Sequence, residues 1–114
     1  MQSTEKDQLF MGLAIELAHT AYENDEVPVG AVIVQRRNSE VLSAFSNQMR
    51  ATKSSINHAE MLAIQKAMDL IKNERLIDCD MYVSLEPCPM CAYAISIARI
   101  NTLFFAAEDK KSGG

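Results

Sequence analysis

Apolar residues recur along this chain with different spacings, and each spacing predicts a different element. Leu9, Phe10, Leu13, Ala14, Leu17, Ala18 and Ala21 return every three or four positions, which predicts an amphipathic helix over residues 5–24. Val27-Pro28-Val29-Gly30-Ala31-Val32-Ile33-Val34 is an unbroken, largely β-branched run, the pattern of a strand buried on both faces. The polar stretch Arg36-Arg37-Asn38-Ser39-Glu40 interrupts it. Val41-Leu42-Ser43-Ala44-Phe45 then resumes as a second strand, and the pair reads as a hairpin. Residues 47–57 show no period and many polar side chains, so they read as a loop.

From Ala59 to Lys72 good helix formers fill most positions. Met61, Leu62, Ile64, Ala67, Met68, Leu70 and Ile71 cover more than one stripe, which predicts a helix deeply buried or shared with a partner. Residues 81–85 read as a third strand, with Cys79 preceding it, 88–99 as a third helix and 102–106 as a fourth strand. Residues 107–114 form a polar tail. The order is α-β-β-α-β-α-β. A helical crossover makes the last two strands parallel, so the expected architecture is an α/β sandwich, a mixed sheet covered by helices. The 114 residues predict one domain, 1–114.

Composition changes this picture little, because 48% apolar and 23% charged residues are ordinary for a globular chain. Residues 1–8 lack the basic start and apolar run of a secretory leader, and no stretch is long enough for a membrane span. A cytoplasmic protein is expected. The net charge of −4 is uneven. Residues 1–26 set Glu5, Asp7, Glu16, Glu23, Asp25 and Glu26 against Lys6 alone, whereas residues 27–75 are net basic. Acidity overall disfavours non-specific nucleic-acid binding, while the basic middle can still meet phosphates.

The chemistry concentrates in His58-Ala59-Glu60 and Pro87-Cys88-Pro89-Met90-Cys91. A histidine and a CxxC pair supply three zinc ligands, and the nearby acid is left unligated. Structural zinc takes four protein ligands, whereas catalytic zinc takes three and keeps a position open for water. His58, Cys88 and Cys91 are therefore the candidate ligands of one zinc ion, and Glu60 the candidate catalytic acid and base. Each group sits where a helix begins, and the partial positive charge there favours thiolate. The alternatives are a structural zinc or a redox CxxC. A structural site would need a fourth ligand from Cys79 or His19, the only spare Cys and His. Those read more simply as a small buried residue and a helix side chain. A redox pair would need neither His58 nor Glu60. Cys79 has no evident mate, so the cysteine count suits a reducing compartment.

His-x-Glu followed by Pro-Cys-x-x-Cys is the established signature of zinc-dependent nucleobase deaminases. Beyond it, Glu26-Val27-Pro28-Val29-Gly30-Ala31-Val32, Asn47, Arg75-Leu76-Ile77-Asp78 and Tyr82-Val83-Ser84-Leu85-Glu86 extend the likeness over nearly the whole chain. The sequence resembles the bacterial tRNA-specific adenosine deaminases of the cytidine/deoxycytidylate deaminase superfamily, which convert an anticodon's wobble adenosine to inosine. The resemblance implies a cytidine-deaminase-like three-layer α/β/α sandwich and one Zn2+ on His58, Cys88 and Cys91, with Glu60 as proton shuttle. It also implies substrate contacts from Asn47 and Val29, a tRNA anticodon stem-loop as partner, and a homodimer. Three departures stand out. Ser54-Ser55-Ile56-Asn57 replaces the usual Asp-Pro-Thr-Ala, Tyr93 replaces a glycine, and the family's last strand and C-terminal helix are missing. The fourth strand would then be an uncovered sheet edge. The alternatives are a free-base or nucleoside deaminase of guanine or cytosine type, or an inactive zinc-stabilised partner subunit or truncated domain.

Overall fold

The computed structural model describes residues 4–107, so residues 108–114 of the expected tail lie outside the described part. Helix α1 spans Glu5–Glu23. Its start is closed by a capping box. Thr4 Oγ1 accepts from the Asp7 amide, and the Asp7 carboxylate accepts from the Thr4 amide. The helix buries Phe10, Ala14, Ala18 and Ala21, while Leu9 is exposed, so the apolar stripe is narrower than the sequence pattern implies.

Strands β1 (Gly30–Gln35) and β2 (Glu40–Ser46) form the expected antiparallel hairpin, with a register shift between Ile33 and Val34. The first strand starts later than its apolar run. Pro28 has no N–H for a ladder, and the Val29 amide turns back to the Val27 carbonyl at 2.8 Å, so residues 27–29 form a turn. A short helix, α2 (Met49–Thr52), corrects the expectation of a structureless loop over residues 47–57. Helix α3 runs Ala59–Ile71, β3 Cys79–Val83, α4 Pro89–Ile97 and β4 Thr102–Phe105. Cys79 thus opens the third strand instead of preceding it.

The sheet order is β2-β1-β3-β4, with β1–β3 antiparallel and β3–β4 parallel, as the crossover predicts. Successive residues of β1 face opposite sides. Ala31 and Ile33 join Ala63, Ala67, Met81, Val83 and Ile95 beneath α3 and α4. Val32 and Val34 join Phe10, Ala14 and Tyr82 beneath α1. The result is three layers, helix over sheet over helices. Burying a residue such as Ile33 completely contributes about 1.5–3 kcal/mol.

Gly30 lets α1 and β1 touch. A Cβ there would lie 2.1 Å from the Ala14 carbonyl oxygen and 2.6 Å from Leu17 Cβ. Helix α3 buries one stripe, Ala59, Glu60, Ala63, Ile64 and Ala67, and leaves Leu70 exposed, so it is less enclosed than its composition predicts. Strand β4 is an edge of the described sheet. No helix among the described residues is long and apolar enough to cross a membrane.

Candidate functional site

Two helix starts meet at one place. His58 is the N-cap of α3 and Cys88 the N-cap of α4, both with extended backbone, and neither side chain caps its own helix. Each side chain is therefore free to project from the helix end. Pro89 stands at the first position of α4, where its missing N–H costs nothing. Cys91 follows in the first turn and is completely buried.

The donor atoms of His58, Cys88 and Cys91 all lie within 4.8 Å of one another. His58 Nδ1 is 3.7 Å from Cys88 Sγ and 3.5 Å from Cys91 Sγ. Tetrahedral zinc, with Zn–N near 2.05 Å and Zn–S near 2.3 Å, sets such nitrogen and sulfur atoms about 3.6 Å apart. The donor set and its spacing therefore fit zinc.

Glu60 lies one residue inside α3 and is 4% exposed. Burial raises its carboxyl above the usual range. The local backbone, His58 and the Cys91 thiol oppose that shift but do not cancel it. Its Oε1 has no hydrogen-bond partner among the described residues. Burial likewise pushes the Cys91 thiol up, with the Glu60 and Cys88 charges adding to it. A divalent cation among these donors would reverse that preference, because its charge stabilises thiolate.

These groups border a cleft of about 190 Å³ lined by Val27, Val29, Asn47, Met49, His58, Glu60, Leu85, Glu86 and Cys88. Pockets for drug-sized ligands measure roughly 300–1,000 Å³, so this smaller space suits one flat ring with its attachments left outside. Asn47 is buried, its amide donates to the Val29 carbonyl at 3.0 Å, and its Oδ1 is unpartnered among the described residues. Two orphaned oxygen acceptors, on Glu60 and Asn47, thus share one small cleft. A buried acceptor without a partner costs about 1–3 kcal/mol, which a bound donor would recover.

Val27, Met49, Leu85 and Glu86 also line the cleft, and none of them is among the candidate site residues that the sequence points to. Glu86 and Leu85 were detectable through their adjacency to Pro87-Cys88, whereas Met49 carries no sequence signal. Tyr93 is 71% exposed and borders a separate groove with Glu74, Arg75, Ser96, Ile97 and Arg99, so it does not narrow the cleft. His19 is exposed on α1 and Cys79 is buried in β3, and neither belongs to the three-donor group.

Comparison with known proteins places this geometry in a group. The family described as the cytidine and deoxycytidylate deaminase zinc-binding region matches residues 4–107. A tRNA-specific adenosine deaminase of Rickettsia typhi is 44% identical over 103 residues, covering 90% of this chain and 70% of that protein. The Aquifex aeolicus protein of the same name is 43% identical over 107 residues, covering 94% of this chain and 70% of its own length. A solved structure from work on A-to-I editing by tRNA:A34 deaminases superposes with a TM-score of 0.88 at 44% identity, covering 93% of this chain and 75% of the other. Guanine deaminase from Bacillus subtilis follows at 0.84 and 36%, covering 89% and 64%.

Proposed function

The chain belongs to the cytidine and deoxycytidylate deaminase zinc-binding family, and on that premise we propose that it hydrolyses the wobble adenosine of tRNA anticodons to inosine. The observation that carries the chemistry is the unpartnered, buried Glu60 oxygen beside a three-donor His58, Cys88 and Cys91 group. The choice of tRNA is supported by the relatives named tRNA-specific adenosine deaminase at 43–44% identity. The cleft volume also agrees with a base turned out of its strand, its sugar and phosphates remaining outside.

His58, Cys88 and Cys91 would hold one zinc ion per chain. Bound zinc lowers the pKa of water to about 7, which supplies a nucleophile at neutral pH. Glu60 is placed to accept a proton from the attacking water and to donate it to the purine ring nitrogen beside the amino-bearing carbon. The water oxygen bonds to the amino-bearing carbon. Glu60 then carries the proton of the newly added hydroxyl to the amine, and the C–N bond breaks as the C=O bond of inosine forms, releasing ammonia. A carboxyl whose affinity for protons is raised by burial suits both halves of that cycle. The Asn47 side chain accepts from a substrate donor and Val29 packs on the base.

The reading includes a homodimer. Met90, Tyr93 and Ile97 lie exposed along α4 and offer an apolar surface for a second copy. A single-chain mass in sedimentation would remove that part. A tRNA substrate is consistent with a cytoplasmic location.

The test is ammonia release from the zinc-loaded chain, comparing an anticodon stem-loop carrying adenosine with guanine, cytosine and free nucleosides. Turnover of the stem-loop is expected. Turnover of guanine without the stem-loop would replace this substrate with that of the guanine deaminases.

A further inference from the structure

Glu26 stands outside the cleft, yet two of the segments that form the cleft meet at its carboxylate. The residue is 7% exposed. One carboxylate oxygen accepts from the Arg50 amide at 2.9 Å and the other from the Ala51 amide at 2.8 Å, across 24 and 25 residues. Those amides open α2, a helix far too short to form unaided. The N-cap residue of α2, Gln48, makes no side-chain capping bond. Glu26 therefore caps the helix from a distance with two charge-assisted bonds, roughly twice as strong as neutral ones. Its own amide is tied to the Ala21 carbonyl at the end of α1 at 2.9 Å, so the carboxylate is held from a rigid element.

The consequence falls on the cleft. The segment leading into β1 supplies Val27 and Val29, and the segment leaving β2 supplies Asn47 and Met49. Among the described residues Glu26 makes two of the bonds between these segments, the Asn47 amide to the Val29 carbonyl makes a third, and Arg50 Nη1 donates to the Asp25 carbonyl at 3.1 Å as a fourth. We propose that Glu26 is a positioning residue that holds Asn47 and Met49 in register with Val29, so that the orphaned Asn47 oxygen faces the bound base. The proposal rests on the deaminase reading for its kinetic part only.

The test uses the zinc-loaded full chain with Glu26→Gln, which keeps the shape but turns one acceptor into a donor facing an N–H. Amide hydrogen exchange is expected to rise at least about tenfold at Asn47, Arg50 and Ala51, and to stay within about twofold at Met81 and Val83 of the central sheet. Zinc content should be unchanged. On whichever substrate the wild type turns over, kcat/KM should fall on the order of 10- to 100-fold, since about 1 Å of misplacement costs that much. Glu26→Asp, which keeps the charge but draws it back by one methylene, should fall between and serves if the glutamine variant folds poorly. Unchanged exchange at Asn47, or a uniform rise across the sheet, would overturn the proposal, as would looser exchange with undiminished kcat/KM. A wild type that deaminates nothing would instead defeat the functional reading, and the exchange comparison would still decide whether Glu26 holds Asn47.

Discussion

Glu60→Gln separates chemistry from architecture, because the structure predicts that almost nothing else changes. The amide has the same shape as the carboxyl and keeps the packing of a residue 4% exposed. The three candidate metal donors are untouched. Burial penalises the Glu60 charge, and a neutral amide escapes that penalty, so the metal-free variant should melt at the same temperature as wild type or higher. What disappears is a proton carrier. Removing a positioned acid–base group lowers turnover by about 10²–10⁴, or about 3–5 kcal/mol of barrier at 1.36 kcal/mol per decade. The assay is steady-state ammonia release at neutral pH with matched zinc content. A kcat within about threefold of wild type, in a folded and zinc-loaded variant, would refute the role assigned to Glu60.

Two further outcomes follow from the packing and the helix cap. Gly30→Ala places a Cβ 2.1 Å from the Ala14 carbonyl oxygen, and such overpacking costs about 1–3 kcal/mol or more. At about 4–8 °C per kcal/mol, thermal unfolding should fall by roughly 5–20 °C, and an unchanged midpoint would contradict the tight α1–β1 crossing. Asp7 is held below the ordinary 3.8, first by the hydrogen bond from Tyr82 and then by the Thr4 amide. A depressed folded pKa gives stability that is complete above 3.8 and is lost as pH falls through the folded value. Metal-free Asp7→Asn should therefore be less stable than wild type at neutral pH, with the gap closing below about pH 4. A gap that widened in acid would reverse that sign.

Much of this site can be read along the chain because its residues are local to two helix starts. His58 and Glu60 are two positions apart, Cys88 and Cys91 three, and each pair adjoins a clear helical pattern. The parallel pairing of β3 with β4 follows from the crossover alone. Sequence pattern and structure part where distant contacts decide. Val27–Val29 look like strand because the apolar run hides a turn closed by one backbone bond. The short helix α2 has no local sequence signal, because its cap is a carboxylate 24 residues away. Leu9 fits the helical period but lies on the margin of the stripe, where it stays exposed. Asn47 and Val29 carry no local signal beyond the family resemblance, and it takes folding to show the unpaired oxygen of Asn47.

Zinc X-ray absorption on the purified chain, paired with metal analysis, addresses the core assignment most directly. The account predicts one zinc per chain with two sulfurs near 2.3 Å and two nitrogen or oxygen atoms near 2.0–2.1 Å, and loss of the metal in Cys88→Ser. A third sulfur in the shell, which would bring in Cys79, or a folded chain that holds no zinc, would contradict it.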